Sequence, residues 1–204
     1  MSNNGVTQNI FLSGVGGQGT ILASNILGQV LLNAGYDVKK AEVHGMAQRG
    51  GDVTTHFRFG KKVYSPLIKQ GDVDYLVSFE LLEALRYINW LKPDGKVILN
   101  NYSIFPPTVR LGKLKYPKDV DQTFKKHFKE NVFLINASDI AKELGNIQVS
   151  NVVLLGAFSN FFPKLNAEQW IESIKDLLPA RLHKLNLKAF NKGRSAFKAN
   201  RKDL

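Results

Sequence analysis

No cysteine occurs in the 204 residues, which excludes a disulfide, a thiolate zinc site and the usual cysteine-ligated iron–sulfur clusters. Any iron–sulfur centre of the usual kind that the chain works with must be borrowed. Histidine is scarce too. His44, His56, His127 and His183 are widely scattered and none forms the close helical pair of metal-binding motifs, so no metal site is expected. The chain lacks an apolar run of about 18 residues that would span a bilayer. Its start, Met1-Ser2-Asn3-Asn4-Gly5, lacks the basic and apolar regions of a signal peptide. The expectation is a cytoplasmic chain without membrane contact, free of internal repeats and low-complexity tracts.

Acid is also in short supply: 17 Asp and Glu face 28 Lys and Arg, for a net charge of +11. Such a charge invites a nucleic-acid reading, because neutralising phosphates gives non-specific affinity. Its distribution argues otherwise. Residues 181–204 hold eight Lys or Arg against the single acid Asp203, so most of the excess sits in one terminal segment. There Leu182, Leu185, Ala189 and Phe190 share one helical face and Lys184, Lys188 and Lys192 another, the pattern of a basic amphipathic helix. A solvated face explains it, as does contact with a partner protein, and no nucleic-acid partner is expected. With 44% hydrophobic residues the chain can bury a substantial core. We divide it into a single α/β domain over 1–180 and a basic amphipathic helix or tail over 181–204.

Asn9–Ser13 reads as a short buried strand running straight into Gly14-Val15-Gly16-Gly17-Gln18-Gly19. From Thr20 the residues Ala23, Ile26, Leu27, Val30, Leu31 and Ala34 recur at helical spacing, and Gly35 supplies a left-handed stop. Tyr36–Val43 reads as the second strand, a Rossmann-like βαβ unit that implies a parallel pair. Val53–Phe59 alternates cleanly, and Gly60-Lys61-Lys62 predicts an antiparallel hairpin to Val63–Ser65. Strands at Asp74–Phe79 and Lys96–Asn100 are joined by a helix carrying Leu82, Leu85 and Ile88 and by the turn Lys92–Gly95. Pro106, Pro107 and Pro117 predict an irregular excursion over 101–118. Val132–Ile135 returns to strand, a helix capped by Ser138 ends at Gly145, and two more helices follow at about 151–162 and 167–178. The expected fold is a three-layer α/β/α sandwich around a mixed, mainly parallel sheet.

Glycines spaced as Gly14-x-Gly16-x-x-Gly19 between strand and helix let the backbone bend sharply and let a phosphate or another chain approach the helix N-terminus. Gly14, Gly16, Gly17, Gln18, Gly19 and Thr20 are therefore candidate cofactor-binding residues. Glu42, at the end of the second strand, would suit a ribose, so a stand-alone dinucleotide-binding oxidoreductase or sensor is one reading. The polar loop after that strand, feeding a hairpin instead of a second crossover helix, speaks against it. In the loop, His44, Gln48, Arg49, Gly50 and Gly51 combine several donors with backbone freedom.

Gly-Val-Gly-Gly-Gln-Gly followed by Thr20-Ile21-Leu22-Ala23, with Glu42-Val43-His44-Gly45-Met46-Ala47-Gln48-Arg49-Gly50-Gly51, resembles the gamma subunit or domain of pyruvate/2-oxoacid:ferredoxin oxidoreductases. The His-Gly-Met-Ala-Gln-Arg-Gly-Gly form is most similar to the small beta subunit of indolepyruvate ferredoxin oxidoreductases. The resemblance extends over roughly residues 8 to 160, through Val63–Ile68, Phe79–Leu85 and Asn151–Ala157. It implies oxidative decarboxylation of a 2-oxoacid, an arylpyruvate such as indolepyruvate, to an acyl-CoA with electrons passed to ferredoxin. It also implies that thiamine diphosphate, magnesium and 4Fe-4S clusters sit on a large alpha subunit, with coenzyme A as co-substrate. In keeping with that division, the chain has no Gly-Asp-Gly with a distant Asn to hold thiamine diphosphate through magnesium. Carried over, the glycine turn and His44, Gln48, Arg49, Gly50 and Gly51 face the cofactor-bearing partner in a shared active site. No residue of this chain is expected to be catalytic, the chain alone is expected to be inactive, and a homodimer is a further expectation for the isolated chain.

Overall fold

A computed structural model of the chain describes residues 7–45 and 50–200, except for the His44 side chain. Among the described residues, fourteen helices and strands follow in chain order, joined by turns and short 3-10 segments. Strand β1 (Gln8–Val15) is buried along nearly its whole length, as a strand covered on both faces should be. Helix α1 (Thr20–Asn33) lays Ala23, Ile26, Leu27, Val30 and Leu31 against it. Gly35, at φ +84°, ends the helix: its N–H donates to the Leu32 carbonyl and that of Tyr36 to the Leu31 carbonyl, the two bonds of a Schellman cap.

Strands β2 (Asp37–His44) and β3 (Asp52–Gly60) form an antiparallel hairpin, and β3 also pairs antiparallel with β1, from Gln8 opposite Phe59 to Val15 opposite Asp52. The predicted parallel pair is thus corrected. β1 and β2 run in the same direction with β3 wedged between them. The cause is the connection over 45–51, far shorter than the dozen or so residues a parallel crossover needs, so β3 must return beside β2. The predicted hairpin between Val53–Phe59 and Val63–Ser65 is corrected for a related reason. Both edges of β3 are already filled, so residues 63–65 cross outside the sheet. The Val63 N–H donates to Asp37 Oδ2 at 2.8 Å and Arg58 Nη1 donates to the Ser65 carbonyl at 2.9 Å.

Beyond β1 the sheet is parallel. β4 (Val73–Ser78), β5 (Leu91–Asn100) and β6 (Val132–Ile135) complete the order β2-β3-β1-β4-β5-β6. The turn read at Lys92–Gly95 lies inside β5 as a bulge. Val73 opposes Leu91 and Tyr75 opposes Lys96, so β5 advances five residues while β4 advances two. Helix α2 (Leu81–Arg86) follows β4, and the excursion after β5 contains only the short α3 (Pro107–Arg110). Helix α4 (Val120–Phe128), not anticipated, buries Val120, Phe124 and Phe128, a four-residue spacing that was present to be read. Helix α5 (Ala137–Glu143) is not capped by Ser138. That residue lies inside the helix and exchanges hydrogen bonds with the Asn100 amide, tying α5 to the end of β5.

Helices α6 (Ser150–Phe158), α7 (Ala167–Leu177) and α8 (Ala180–Asn200) join α1 and α5 on one face of the sheet, over Ile10, Leu12, Phe57 and Val77. α2, α4 and Trp90 cover the other, over Phe11, Leu76, Val97 and Leu99. The result is the three-layer α/β/α arrangement around a mixed sheet. α8 meets α6 backbone to backbone, because a Cβ on Gly193 would lie 1.9 Å from the Val153 carbonyl oxygen and one on Gly156 2.1 Å from that of Phe190. Lys184, Lys188, Lys192 and Lys198 stay exposed on its outer side.

Candidate functional site

The carboxyl ends of β1 and β4 meet at the centre of the sheet, where strand order reverses and open α/β sheets form their ligand crevice. The glycine turn lies there, and Gln18 is what holds it. Its side chain folds inward: Oε1 accepts the Val15 N–H at 2.7 Å and Nε2 donates to the Phe79 carbonyl at 2.9 Å, bridging the two strand ends. Gly14 leaves room for that amide, since a Cβ would come within 2.9 Å of both Gln18 Oε1 and Phe79 Cβ. Gly17 (φ +102°) and Gly19 (φ +77°) adopt left-handed backbone, and Thr20, buried, opens α1 without a side-chain cap. Buried Asn151 on α6 closes the turn from above by donating from Nδ2 to the Gly19 carbonyl at 3.1 Å. Asn151 was not among the predicted site residues, because only the fold brings position 151 to position 19.

The described parts of the two predicted clusters meet at Gly16 and Gly51. The Gly16 N–H donates to the Gly51 carbonyl at 2.8 Å, and the Gly45 N–H donates to the Asp52 carbonyl at 3.0 Å as β2 turns into β3. His44 ends β2 opposite Val53, and Gly50 takes φ +80°. Gln48 and Arg49 lie outside the described residues, as does the His44 side chain. Glu42 does not stand beside the glycine turn. It sits opposite Thr55, two strands or about 10 Å from β1, and its Oε1 accepts from Lys40 Nζ at 2.7 Å and from Ser24 Oγ at 3.4 Å. The acid-and-turn arrangement required for a dinucleotide is therefore not formed.

A cleft of about 780 Å³ opens next to the turn on the α2 side. It is lined by Val15, Gly50 and Gly51, by Glu83 and Arg86 of α2 with Tyr87 just beyond the helix, and, on an outer wall, by Ile104, Phe105 and Arg110. That outer wall is irregular chain, yet it is anchored. Buried Glu80, which caps α2 by accepting the Glu83 N–H at 2.9 Å, also accepts the Ile104 N–H at 2.9 Å and the Tyr116 hydroxyl. Burial and the neighbouring Glu80 carboxylate push the Tyr116 phenol far above its ordinary range, so it remains an O–H donor.

Glu83 is 6% exposed. Its Oε1 accepts from Arg86 Nε at 3.1 Å, whereas its Oε2, fully covered, has no hydrogen-bond partner among the described residues. Burial raises its carboxyl above the usual carboxylate range, against the opposing pull of Arg86. Apart from Gly50 and Gly51, none of the residues that line this cleft was predicted as a site residue, since no spacing rule links 15, 83 and 110. Among the described residues no group of three or more His, Asp or Glu could hold a metal ion.

The family model for pyruvate ferredoxin/flavodoxin oxidoreductases matches residues 9–196. Indolepyruvate oxidoreductase subunit IorB of Pyrococcus horikoshii is 42% identical over 194 residues, covering 93% of this chain and 96% of that protein. The gamma subunit of a keto/oxoacid ferredoxin oxidoreductase from Geobacter sulfurreducens shares the fold with a TM-score of 0.70 at 23% identity, over 94% of this chain and 99% of that one. A 2-oxoglutarate:ferredoxin oxidoreductase chain from Magnetococcus marinus, solved with 2-oxoglutarate, coenzyme A and succinyl-CoA bound, gives a TM-score of 0.71 at 24% identity, over 95% of this chain and 31% of that one. There the same fold is one part of a longer chain.

Proposed function

The chain belongs to the pyruvate ferredoxin/flavodoxin oxidoreductase family, and from that premise we infer that it is the cluster-free subunit of a thiamine-diphosphate-dependent arylpyruvate:ferredoxin oxidoreductase. It is a subunit of a 2-oxoacid:ferredoxin oxidoreductase. The finer reading gives it indolepyruvate or a similar acid as substrate, coenzyme A as co-substrate and ferredoxin as electron acceptor. Support for the substrate is the similarity to an indolepyruvate oxidoreductase subunit over almost the full length of both chains.

A chain without cysteine cannot ligate the usual clusters, so they fall to a large alpha subunit, together with thiamine diphosphate and magnesium. This subunit then shapes and closes an active site it shares. The observation that supports this is the Gly16 to Gly51 hydrogen bond, which sets the glycine turn beside Gly51 at the carboxyl end of β1. Gly17, Gly19 and Thr20 lead into the N-terminus of α1, where free N–H groups and the dipole favour a coenzyme A phosphate. Gly14, Gly16 and Gln18 give that rim its shape. His44, Gln48, Arg49, Gly50 and Gly51 face the partner. Among the described residues no helix is long and apolar enough to cross a membrane, and we place the reaction in the cytoplasm.

Mixing the chain with its cognate large subunit tests the reading. Coenzyme A-dependent, ferredoxin-reducing oxidation of indolepyruvate is expected from the mixture and from neither part alone. Inactivity of a correctly assembled pair would refute it. Sizing the isolated chain checks the accompanying expectation of a homodimer.

A further inference from the structure

We propose that the cleft between α2 and residues 104–110 binds a small ring-bearing organic acid, its carboxylate taken by Arg86 and Arg110 and its ring laid against Phe105, Tyr87 and Pro106. This rests on the reading above and extends it, by giving this subunit a direct part in recognising the acid. The volume of about 780 Å³ suits such a ligand, since pockets for small molecules run from roughly 300 to 1,000 Å³. Val15, Ile104, Phe105 and Pro106 give the cleft an apolar and aromatic lining, and Arg86 and Arg110 add two guanidinium forks that match a planar carboxylate. Arg86 and Arg110 share the described lining with Asp52 and Glu83, so the guanidinium charge there is partly offset, which suits a small anion.

Glu83 is the positioning residue. A carboxylate placed at 6% exposure with one oxygen unpartnered weakens the fold, and its one described ion pair is with Arg86, whose side chain is 54% exposed at the cleft. A buried acid that orients an exposed guanidinium is what a preorganised anion site requires.

Calorimetry on the full chain with phenylpyruvate, pyruvate and coenzyme A decides the matter. Phenylpyruvate should bind more tightly than pyruvate, and Arg86→Gln and Arg110→Gln should each weaken it by roughly ten- to a hundredfold. Glu83→Leu should weaken it too and add little on top of Arg86→Gln, a non-additivity that general loss of structure would not produce. In the assembled enzyme the same substitutions should raise KM for phenylpyruvate more than they lower kcat. The proposal is overturned if the arginine variants alter neither binding nor KM, or if they weaken coenzyme A in place of the acid. Failure to reconstitute turnover would instead strike the functional reading and leave the calorimetric result standing.

Discussion

The glycine turn and the cleft beside it share Val15 and the end of β1, yet they are built in opposite ways. In the turn the amides are consumed. Gln18 bonds through both ends, and Asn151 donates to Gly19 while accepting from the Val152 N–H. In the cleft, polar and apolar capacity is left over. Glu83 has a covered oxygen without a partner among the described residues, and Phe105 of the outer wall is half exposed. A region whose side-chain bonds close fixes shape and leaves only the backbone N–H groups that open α1 for an anion, whereas one that keeps unmet side-chain capacity is completed by something that binds.

Breaking the scaffold should therefore cost more stability than altering the cleft. Gly19→Ala should have the largest effect: the residue sits at φ +77° and its new Cβ would lie 2.3 Å from Asn151 Nδ2. Left-handed strain and overpacking together should cost roughly 3 kcal/mol, read as a lower urea midpoint at unchanged slope. Adding Asn151→Ala should relieve the clash and leave the strain. Gln18→Leu comes next. It strands the Val15 N–H, whereas the Phe79 carbonyl still accepts from Asn100 Nδ2 at 3.0 Å, so about 1–2 kcal/mol is expected. A loss no larger than that of an ordinary surface substitution in either case would break the comparison.

The same contrast explains what could be read before the fold was known. Backbone demands leave a mark in sequence, because only glycine meets them cheaply at positions such as Gly17, Gly19 and Gly35. The turn, α1, β6 and the run of helices after it were legible for that reason and from periodicity. Pairing was not. Whether Asp52–Gly60 joins Asp37–His44 or Val63–Ser65 depends on which sheet edges are already occupied, which no local pattern states. The cleft was hidden for a further reason, since Val15, Glu83 and Arg110 meet only once β1, α2 and the excursion are stacked.

Substitution in the cleft should move stability the other way. The folded protein raises the Glu83 pKa above its ordinary 4.5, so Glu83 stabilises the fold relative to the unfolded chain only when protonated, and that contribution is lost as pH rises through the folded value. Glu83→Gln removes the loss. At neutral pH it should leave the melting temperature unchanged or raise it by the equivalent of about 1 kcal/mol, and the gain should shrink as pH falls toward 4.5. A destabilised Glu83→Gln would mean that the carboxylate serves the fold after all, and the distinction between scaffold and binding region would fail at its most diagnostic residue.

The smallest effect is expected at His56 of β3, whose ring faces the α2 side of the sheet. Its ring packs edge-on against Phe11 and Trp90, with centroids 5.0 and 5.3 Å away, and its Nδ1 accepts the Ile68 N–H at 3.1 Å. Burial lowers its pKa below the ordinary 6.5. The unfolded chain therefore takes up a proton first, so stability is full above 6.5 and declines as pH falls from there toward the folded value. Protonation of Nδ1 would also leave the Ile68 N–H without its acceptor. His56→Gln should flatten that acid slope in thermal melts, and a slope unchanged in the variant would assign it to other groups. No residue from Gly14 to Thr20 titrates, so Glu83 and His56, with slopes of opposite sign, report on the α2 side of the sheet while the glycine turn stays silent. A pH series on these two variants consequently separates the regions without touching the turn.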